Sequence, residues 1–410
     1  MTNRSAENQN LQPKLTPVDA YISALGITWP LATISGYGVY GIEIAQSFFR
    51  QGGKRLLLTK RPAPLALPPL LQLRLAPALQ LAEKFDAALA ADPEHCETFD
   101  FPVLHGVGND CAGFVGSDQV RGQPNVGCAA IEHLYSSPHG RTIAKVYERF
   151  IAISRWNAEY IRSLNLAPVH LCHQGIDTDL FFPQAKRGLY PNRFLIFSGG
   201  KFEYRKGQDI VVAAFKQFAT KHPEAMLICA WQSQTVSDPA PFAVSGHIAA
   251  TPQSDGHGAL DLMAWLQQQG LTPQQFIALP FTHQMVMPTV LRECDAALFP
   301  NRCEGGTNLV AMEAMACGIP CLVAANTGQR DLVDLLGAMP LSQQSACAPS
   351  LDPRTTTADW GESSVDECVA GLEKIYQDYQ AARDAATATA AKVAAWNWTA
   401  QNERLLAALR

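Results

Sequence analysis

Three stretches of this 410-residue chain combine residue types and spacings that could do chemistry. The longest is LFPNRCEGGTNLVAMEAMACGIPCLVAANTG, residues 298–328. A strand over Asp295–Pro300 would deliver Glu304 onto a loop, where Gly305 and Gly306 let the backbone approach a ligand closely. Thr307 or Asn308 then caps a helix that opens near Leu309, and the free N–H groups of such a helix start can hold a diphosphate. Glu313 follows among Leu, Val, Ala, Met and Cys. A carboxylate in that company is costly unless it is exposed or bonded to something polar, and ribose hydroxyls are a suitable partner. A plain tight turn followed by a solvated glutamate is the blander reading.

The second stretch is SGGKFEYRKGQD (198–209), again set between a strand and a helix. Lys201, Arg205 and Lys206 can neutralise charge that grows on a departing diphosphate. Lysine is a compact cation well suited to phosphate oxygens. An exposed basic turn is the alternative. The third is Gly36-Tyr37-Gly38-Val39-Tyr40-Gly41, a literal GxGxxG that suggests a dinucleotide fold when it follows a strand and precedes a helix. The acidic residue expected about twenty positions later for a ribose is missing, because the next strand ends in Lys60–Arg61. An NADP-dependent oxidoreductase tolerates that change and stands as a rival reading.

The elements that must position these stretches form two α/β series. In the first half, a strand lies within residues 20–35, SGYGVYG (35–41) is a turn, and a helix runs from about Ile42 to Gln51. Strands follow at 54–60, 101–106, 125–131, 149–154 and 169–176, with RWNAEYIRSL as the helix after the fourth of these. Periodicity then lapses and proline enters in DTDLFFPQAKRGLYPN, which marks a linker near residue 183. The second half repeats the scheme. Strands at 193–200, 224–231, 276–281, 295–300 and 319–325 alternate with helices over GQDIVVAAFKQFATKH and from about Asn308 to Cys317, where Gly318 supplies a left-handed cap. Ser364 and Glu367 form a capping-box pattern ahead of a helix with Val365, Val369, Leu372, Tyr376 and Tyr379 on one face. A last helix after WNW (396–398) sets Trp398, Leu405 and Leu409 on one side.

The fold class is therefore α/β, with two Rossmann-like doubly wound domains facing a cleft. Residues 1–183 form the first domain, with 1–18 a loose polar tail, and 184–392 the second. Residues 393–410 form a helix that crosses back to the first.

Composition excludes several classes. Hydrophobic residues at 47% and charged residues at 17% describe a folded chain, long enough for two domains. A formal charge of -5 gives no general affinity for nucleic acid, whose binding depends on displacing phosphate counterions. The eleven cysteines include no CxxC pair, which argues for reduced thiols in a cytoplasmic protein. No apolar run of about 18 residues is present to span a membrane, and the N-terminus lacks the apolar core of a signal peptide. Arg50, Lys54, Arg55, Lys60 and Arg61 precede the Leu- and Pro-rich segment 62–85. Such a surface fits an anionic membrane at its cytoplasmic face, and a solvated strand edge beside a packed helix is the alternative.

Taken together, ISRWNAEYI, HQGIDTDLFFP, GGKFEYRKGQD and EGGTNLVAMEAMACGIP resemble glycosyltransferase family 4, the retaining enzymes of GT-B fold, over about residues 126–400. The resemblance implies a first domain offering the acceptor site and a second gripping a nucleotide-sugar donor, a UDP- or GDP-sugar, with no cofactor required. It implies that Lys206 and Lys201 bind the donor diphosphate, together with Gly305, Gly306, Thr307 and Asn308. Glu304 would contact the transferred sugar and Glu313 the ribose. Eight residues separate these glutamates where the family places seven. The loop at Gly36 and Gly38 would touch the donor phosphate. For the polar group beside the reacting carbon, His105, Asn109, Glu132 and His133 all remain candidates.

Asp177-Thr178-Asp179 spells the DxD metal motif of the other large glycosyltransferase fold, but it lies in the linker. His170 and His173 alternate along a strand as core or edge residues, and no metal constellation appears. A phosphorylase, an epimerase and a catalytically inactive GT-B protein that binds sugar nucleotides are the remaining competitors.

Overall fold

Residues 22–63, 67–92, 94, 96–231, 240–253, 260–349 and 356–410 are described by the computed structural model. The expected tail at 1–18 lies outside them. Two six-stranded parallel sheets organise the chain. The first comprises β1 (Ala24–Ile27), β2 (Arg55–Leu58), β3 (Val103–Val107), β4 (Asn125–Ala129), β5 (Arg149–Ala152) and β6 (Val169–Leu171), in spatial order β2-β1-β3-β4-β5-β6. The second comprises β7 (Phe194–Gly199), β8 (Ala225–Ala230), β9 (Phe276–Ala278), β10 (Ala296–Phe299), β11 (Cys321–Ala324) and β12 (Met339–Leu341), in order β9-β8-β7-β10-β11-β12.

Burial on both faces explains why the central strands read as continuous apolar runs. All six residues of β7 are buried. Phe194 and Ile196 enter one core with α5 (Gln208–Lys221) and α9 (Val365–Gln377). Leu195 and Phe197 enter the opposite core with α8 (Leu309–Ala316), as a two-residue side-chain period demands. In the first sheet, Leu25 and Ile27 share a core with α1 (Gly36–Arg50) and α2 (Pro69–Ala91). Phe150 and Ala152 face α4 (Arg155–Leu164) with Ala144 of α3 (Pro138–Ala144).

The strand order reverses between β1 and β3 in one sheet and between β7 and β10 in the other. Crevices beyond the carboxyl ends of strands at such switch points are where open α/β sheets bind ligands. The loop after β7 carries Lys201, Arg205 and Lys206, and the loop after β10 carries Glu304 to Asn308. Topology alone thus brings the two C-terminal motifs together.

Several elements differ from expectation. Helix α1 starts at Gly36, before the expected Ile42, because Ser35 caps it by accepting from the Gly38 amide at 3.1 Å. The GxGxxG run is therefore the opening of a helix and not a turn. Its later glycines answer packing: a Cβ on Gly38 would lie 2.5 Å from Ala32, and one on Gly41 2.6 Å from Leu31. Within the Leu- and Pro-rich segment the 23-residue α2 begins, with Pro69 in its first turn, where a missing N–H costs nothing. Helices α6 (Leu262–Gln268), α7 (Met287–Leu291) and α10 (Tyr379–Ala394) add to those read from sequence. Only half of the capping box forms: Ser364 Oγ accepts from Glu367 N, but the Glu367 carboxylate accepts from the amides of Ser342 and Gln343. Helix α11 (Trp398–Ala407) places Trp398, Leu405 and Leu406, and the turn after it Leu409, in the core shared by α1 and the first sheet. Asn402 Nδ2 also donates to Ser47 Oγ of α1 at 3.2 Å.

Candidate functional site

The loops after β7 and β10 are tied together by backbone as well as by charge. Arg302 N donates to Arg205 O at 2.7 Å, and Cys303 N reaches the same oxygen at 3.2 Å. Gly207, at φ 68°, opens α5 where a Cβ would stand 2.5 Å from Pro300 O, so only glycine fits. Behind them sits Arg302, fully buried. Its guanidinium bonds both Asp209 oxygens at 2.8 and 2.7 Å, Glu362 at 2.9 Å and Tyr204 O at 2.8 Å. It also lies 3.9 Å from the Tyr204 ring centroid. A charge this deeply buried is tolerable only with such saturation. The sequence offered a signal for Arg302, a cation beside a buried strand end, but no way to name its partners.

On this platform Glu304 accepts from Lys206 Nζ at 2.6 Å and from Arg205 Nη1 at 3.1 Å. Burial alone would raise its pKa, but the Lys206 and Arg205 charges outweigh burial and hold it below the usual carboxylate range. Arg205 also bonds Glu203 and Glu132, each at 2.8 Å. Burial again opposes ionisation of Glu203, yet Arg205 and Lys201 bring it to about 2. Glu132, from the first domain, keeps a raised pKa because burial dominates there. Lys201 pairs with Glu203 at 2.7 Å. Three cations and three carboxylates thus converge, and any anion entering must exchange with protein carboxylates.

The glycines after Glu304 face the first domain. A Cβ on Gly305 would lie 2.7 Å from Ile131 O, and one on Gly306 2.9 Å from Ile153 Cδ1. Ser154 Oγ donates to Gly305 O at 2.7 Å. Close approach is required, as the sequence suggested, but here it is to protein. Asn308, at φ 68°, caps α8 by accepting from Ala311 N at 3.3 Å. Its Nδ2 is buried without a hydrogen-bond partner, an orphan donor at a helix start. Thr307 is buried with its hydroxyl 3.1 Å from Met312 Sδ. Leu309 packs in both adjoining cores, and a Cβ on Gly36 would be 3.9 Å from its Cδ1. The N-termini of α1 and α8 therefore meet across the cleft, with Gly36 and Gly38 in the first turn of α1.

Of the first-domain candidates, the structure brings Glu132 into contact with this cluster. Asn109 Oδ1 accepts from Glu132 N at 2.7 Å, so Asn109 holds the loop. Glu132 O accepts from Cys303 Sγ at 3.0 Å and from Trp360 Nε1 at 2.6 Å, both in the second half of the chain. His133 is buried next along the same loop. His105 is not brought to the cluster. It lies inside the first sheet against Asn125 Oδ1 at 2.6 Å, where burial pushes its pKa down to about 4.

Farther along the domain junction, Asp331 accepts from Arg155 Nε at 2.5 Å and pairs with His173 at 2.9 Å, while Arg155 also reaches Asp334 at 2.7 Å. His173 stacks on Trp396 at 4.2 Å. Asp177 accepts from the amides of Asp179 and Leu180, a local turn. Among the described residues no group of three or more His, Cys, Asp or Glu is placed to hold a metal ion.

Glu313, inside α8, is buried and accepts from Gln284 Nε2 at 2.6 Å. Burial raises its pKa to about 7 against the lowering effect of that bond.

Known structures share this fold. Sucrose-phosphate synthase from Thermosynechococcus elongatus superposes with a TM-score of 0.62 at 16% identity, over 93% of this chain and 97% of that one. The Anabaena protein HepE, in complex with UDP and glucose, gives 0.61 at 15% identity, over 94% and 99%. The fold is GT-B. Residues 182–336 of this GT-B chain match the family model for glycosyl transferases group 1. D-inositol 3-phosphate glycosyltransferase 1 of Catenulispora acidiphila is 29% identical over 195 residues, 45% of this chain and 43% of the relative. The D-inositol 3-phosphate glycosyltransferase of Mycobacterium sp. (strain KMS) is 25% identical over 226 residues, 53% and 44%. The chain spans less than half the length of the curated relatives it matches. Gly38 and Gly41 of the GxGxxG pack against Ala32 and Leu31, and the family model and the curated relatives are glycosyltransferases, which does not favour the oxidoreductase reading.

Proposed function

We propose that this chain is a retaining glycosyltransferase of the family 4 kind. It moves a sugar from a UDP- or GDP-sugar to an acceptor, a saccharide, lipid-linked glycan or small molecule. The observation that carries the reading is the convergence of Arg205, Lys206 and the start of α8 at the switch point of the second sheet. A leaving nucleoside diphosphate gains charge as the bond from its β-phosphate oxygen to the anomeric carbon breaks. Cations and helix-start amides already fixed in place stabilise that charge without reorganising. The unpartnered Asn308 Nδ2 supports a ligand at this helix start.

In this reading residues 1–183 form the acceptor-side domain, 184–392 the donor domain, and 393–410 the returning helix. Lys206 and Arg205 take the diphosphate, with Lys201 at the rim and Gly305 to Leu309 beneath. Glu304 meets the transferred sugar and Glu313 the ribose. Glu132 and His133 border the reacting carbon from the first domain, and Gly36 and Gly38 line the cleft opposite α8. Segment 50–85 rests on an anionic membrane at its cytoplasmic face, supported by the exposure of Leu70 and Leu73. No helix among the described residues is long and apolar enough to cross one.

Titration with UDP-, GDP-, ADP- and dTDP-glucose, following heat of binding and release of free nucleotide, tests the proposal. Release or transfer with one of them supports the enzyme. Binding without turnover supports an inactive sugar-nucleotide-binding protein, and absence of binding by all four removes the reading.

A further inference from the structure

We propose that Gln284 is a positioning residue for nucleotide recognition, its side-chain amide fixing the Glu313 carboxylate so that the remaining acceptor oxygen takes the ribose diol. The inference rests on the ribose role given to Glu313 above. Glu313 lies on α8 between Met312 and Ala314, both wholly buried in an apolar core. A carboxylate there has about four acceptor positions and few donors to fill them. Gln284 Nε2 occupies one, at 2.6 Å on Oε1, from a residue 29 positions away in sequence.

Gln284 is itself held firmly. It belongs to the connection between β9 and α7, where His283 O accepts from Val286 N at 2.9 Å and Gln284 O from Met287 N at 3.1 Å. Met287 and Leu291 of α7 are buried in the same core as α8. The amide is therefore delivered to Glu313 by a turn whose far end is anchored beside it. The same turn presents Met285 and Val286, each about half exposed, and sets the Phe281 and His283 rings edge to face at 5.5 Å. One short segment thus fixes the carboxylate that would read the sugar of the nucleoside and offers apolar surface at its side. A buried acceptor oriented in this way discriminates against a nucleotide lacking ribose hydroxyls, because it is then left unpaired.

The test uses the full chain with UDP and GDP, each also in its 2′,3′-dideoxy form, by calorimetry at pH 8. With Gln284→Ala, affinity for the ribonucleotide that wild type binds falls about tenfold, while affinity for its dideoxy counterpart stays within about twofold. Equal losses on both ligands, no loss on either, or tighter binding of the ribonucleotide overturns the proposal. Gln284→Glu separates positioning from folding. Two carboxylates at this distance share one proton at pH 5.5 and repel at pH 8, so its affinity relative to wild type should fall as pH rises. A ratio independent of pH counts against the role. If wild type binds neither UDP nor GDP, the choice of a UDP- or GDP-sugar donor itself fails, an outcome distinct from a silent Gln284.

Discussion

Lys206 Nζ stands 2.6 Å from Glu304 Oε1, although 98 positions separate the two residues in the chain. Each is the other's counterion: Glu304 is buried, and without Lys206 and Arg205 its ionisation would be opposed by burial. Under the proposed function, an entering diphosphate takes over the cations and leaves Glu304 to meet the attached sugar.

Lys206→Ala should therefore weaken nucleoside diphosphate binding by about tenfold or more and reduce transfer by about a hundredfold. Calorimetry and free-nucleotide release measure both. Unchanged values would remove Lys206 from the site.

Arg302→Met should cost roughly 3–5 kcal/mol of stability, because Asp209 is then left buried without its counterion. Urea unfolding reads the loss. The Asp209→Asn, Arg302→Met double variant should recover part of it, and simple additivity of the two single losses would contradict the pairing.

The raised pKa of Glu313, about 7, has a definite sign in stability. The folded state holds the proton more tightly than the unfolded one. The contribution is fully present below about pH 4.5 and is lost as pH rises through about 7, on the order of 3 kcal/mol. Glu313→Gln should flatten the stability profile between those limits while weakening nucleotide binding. A profile identical to wild type in that window would show that Glu313 titrates normally.

Asp331→Ala should loosen the junction between the sheets, since Asp331 serves both Arg155 and His173. The expected signs are a larger radius of gyration in small-angle scattering and about 2–4 kcal/mol lost on unfolding. Scattering curves that superpose on those of wild type would mean that other contacts hold the junction.

Leu70 and Leu73 on α2 are 82% and 71% exposed. The double change Leu70→Asp, Leu73→Asp should abolish sedimentation with phosphatidylserine vesicles and alter stability by less than about 0.5 kcal/mol, as for other surface changes. Binding that persists would move the membrane contact elsewhere.

The sequence by itself determined the two α/β series, the switch-point loops and the residues on them. Strand burial and glycine-rich helix starts are local signals, so Glu304 to Asn308 and the run Lys201 to Gly207 were legible. The turn expected at 35–41 is a helix start, because six residues cannot show whether glycine serves a turn or close helix packing, and Ala32 and Leu31 supply that answer only in space. Tertiary structure decided which charges meet. Arg302 with Asp209, Glu132 with Arg205 and Gln284 with Glu313 are pairs distant in sequence. His105 shows the converse, for its strand context fits a site residue, yet the fold turns it toward Asn125 within the sheet. Propensity and periodicity act over a few residues, whereas ion pairing and desolvation depend on distance, which only the folded chain defines.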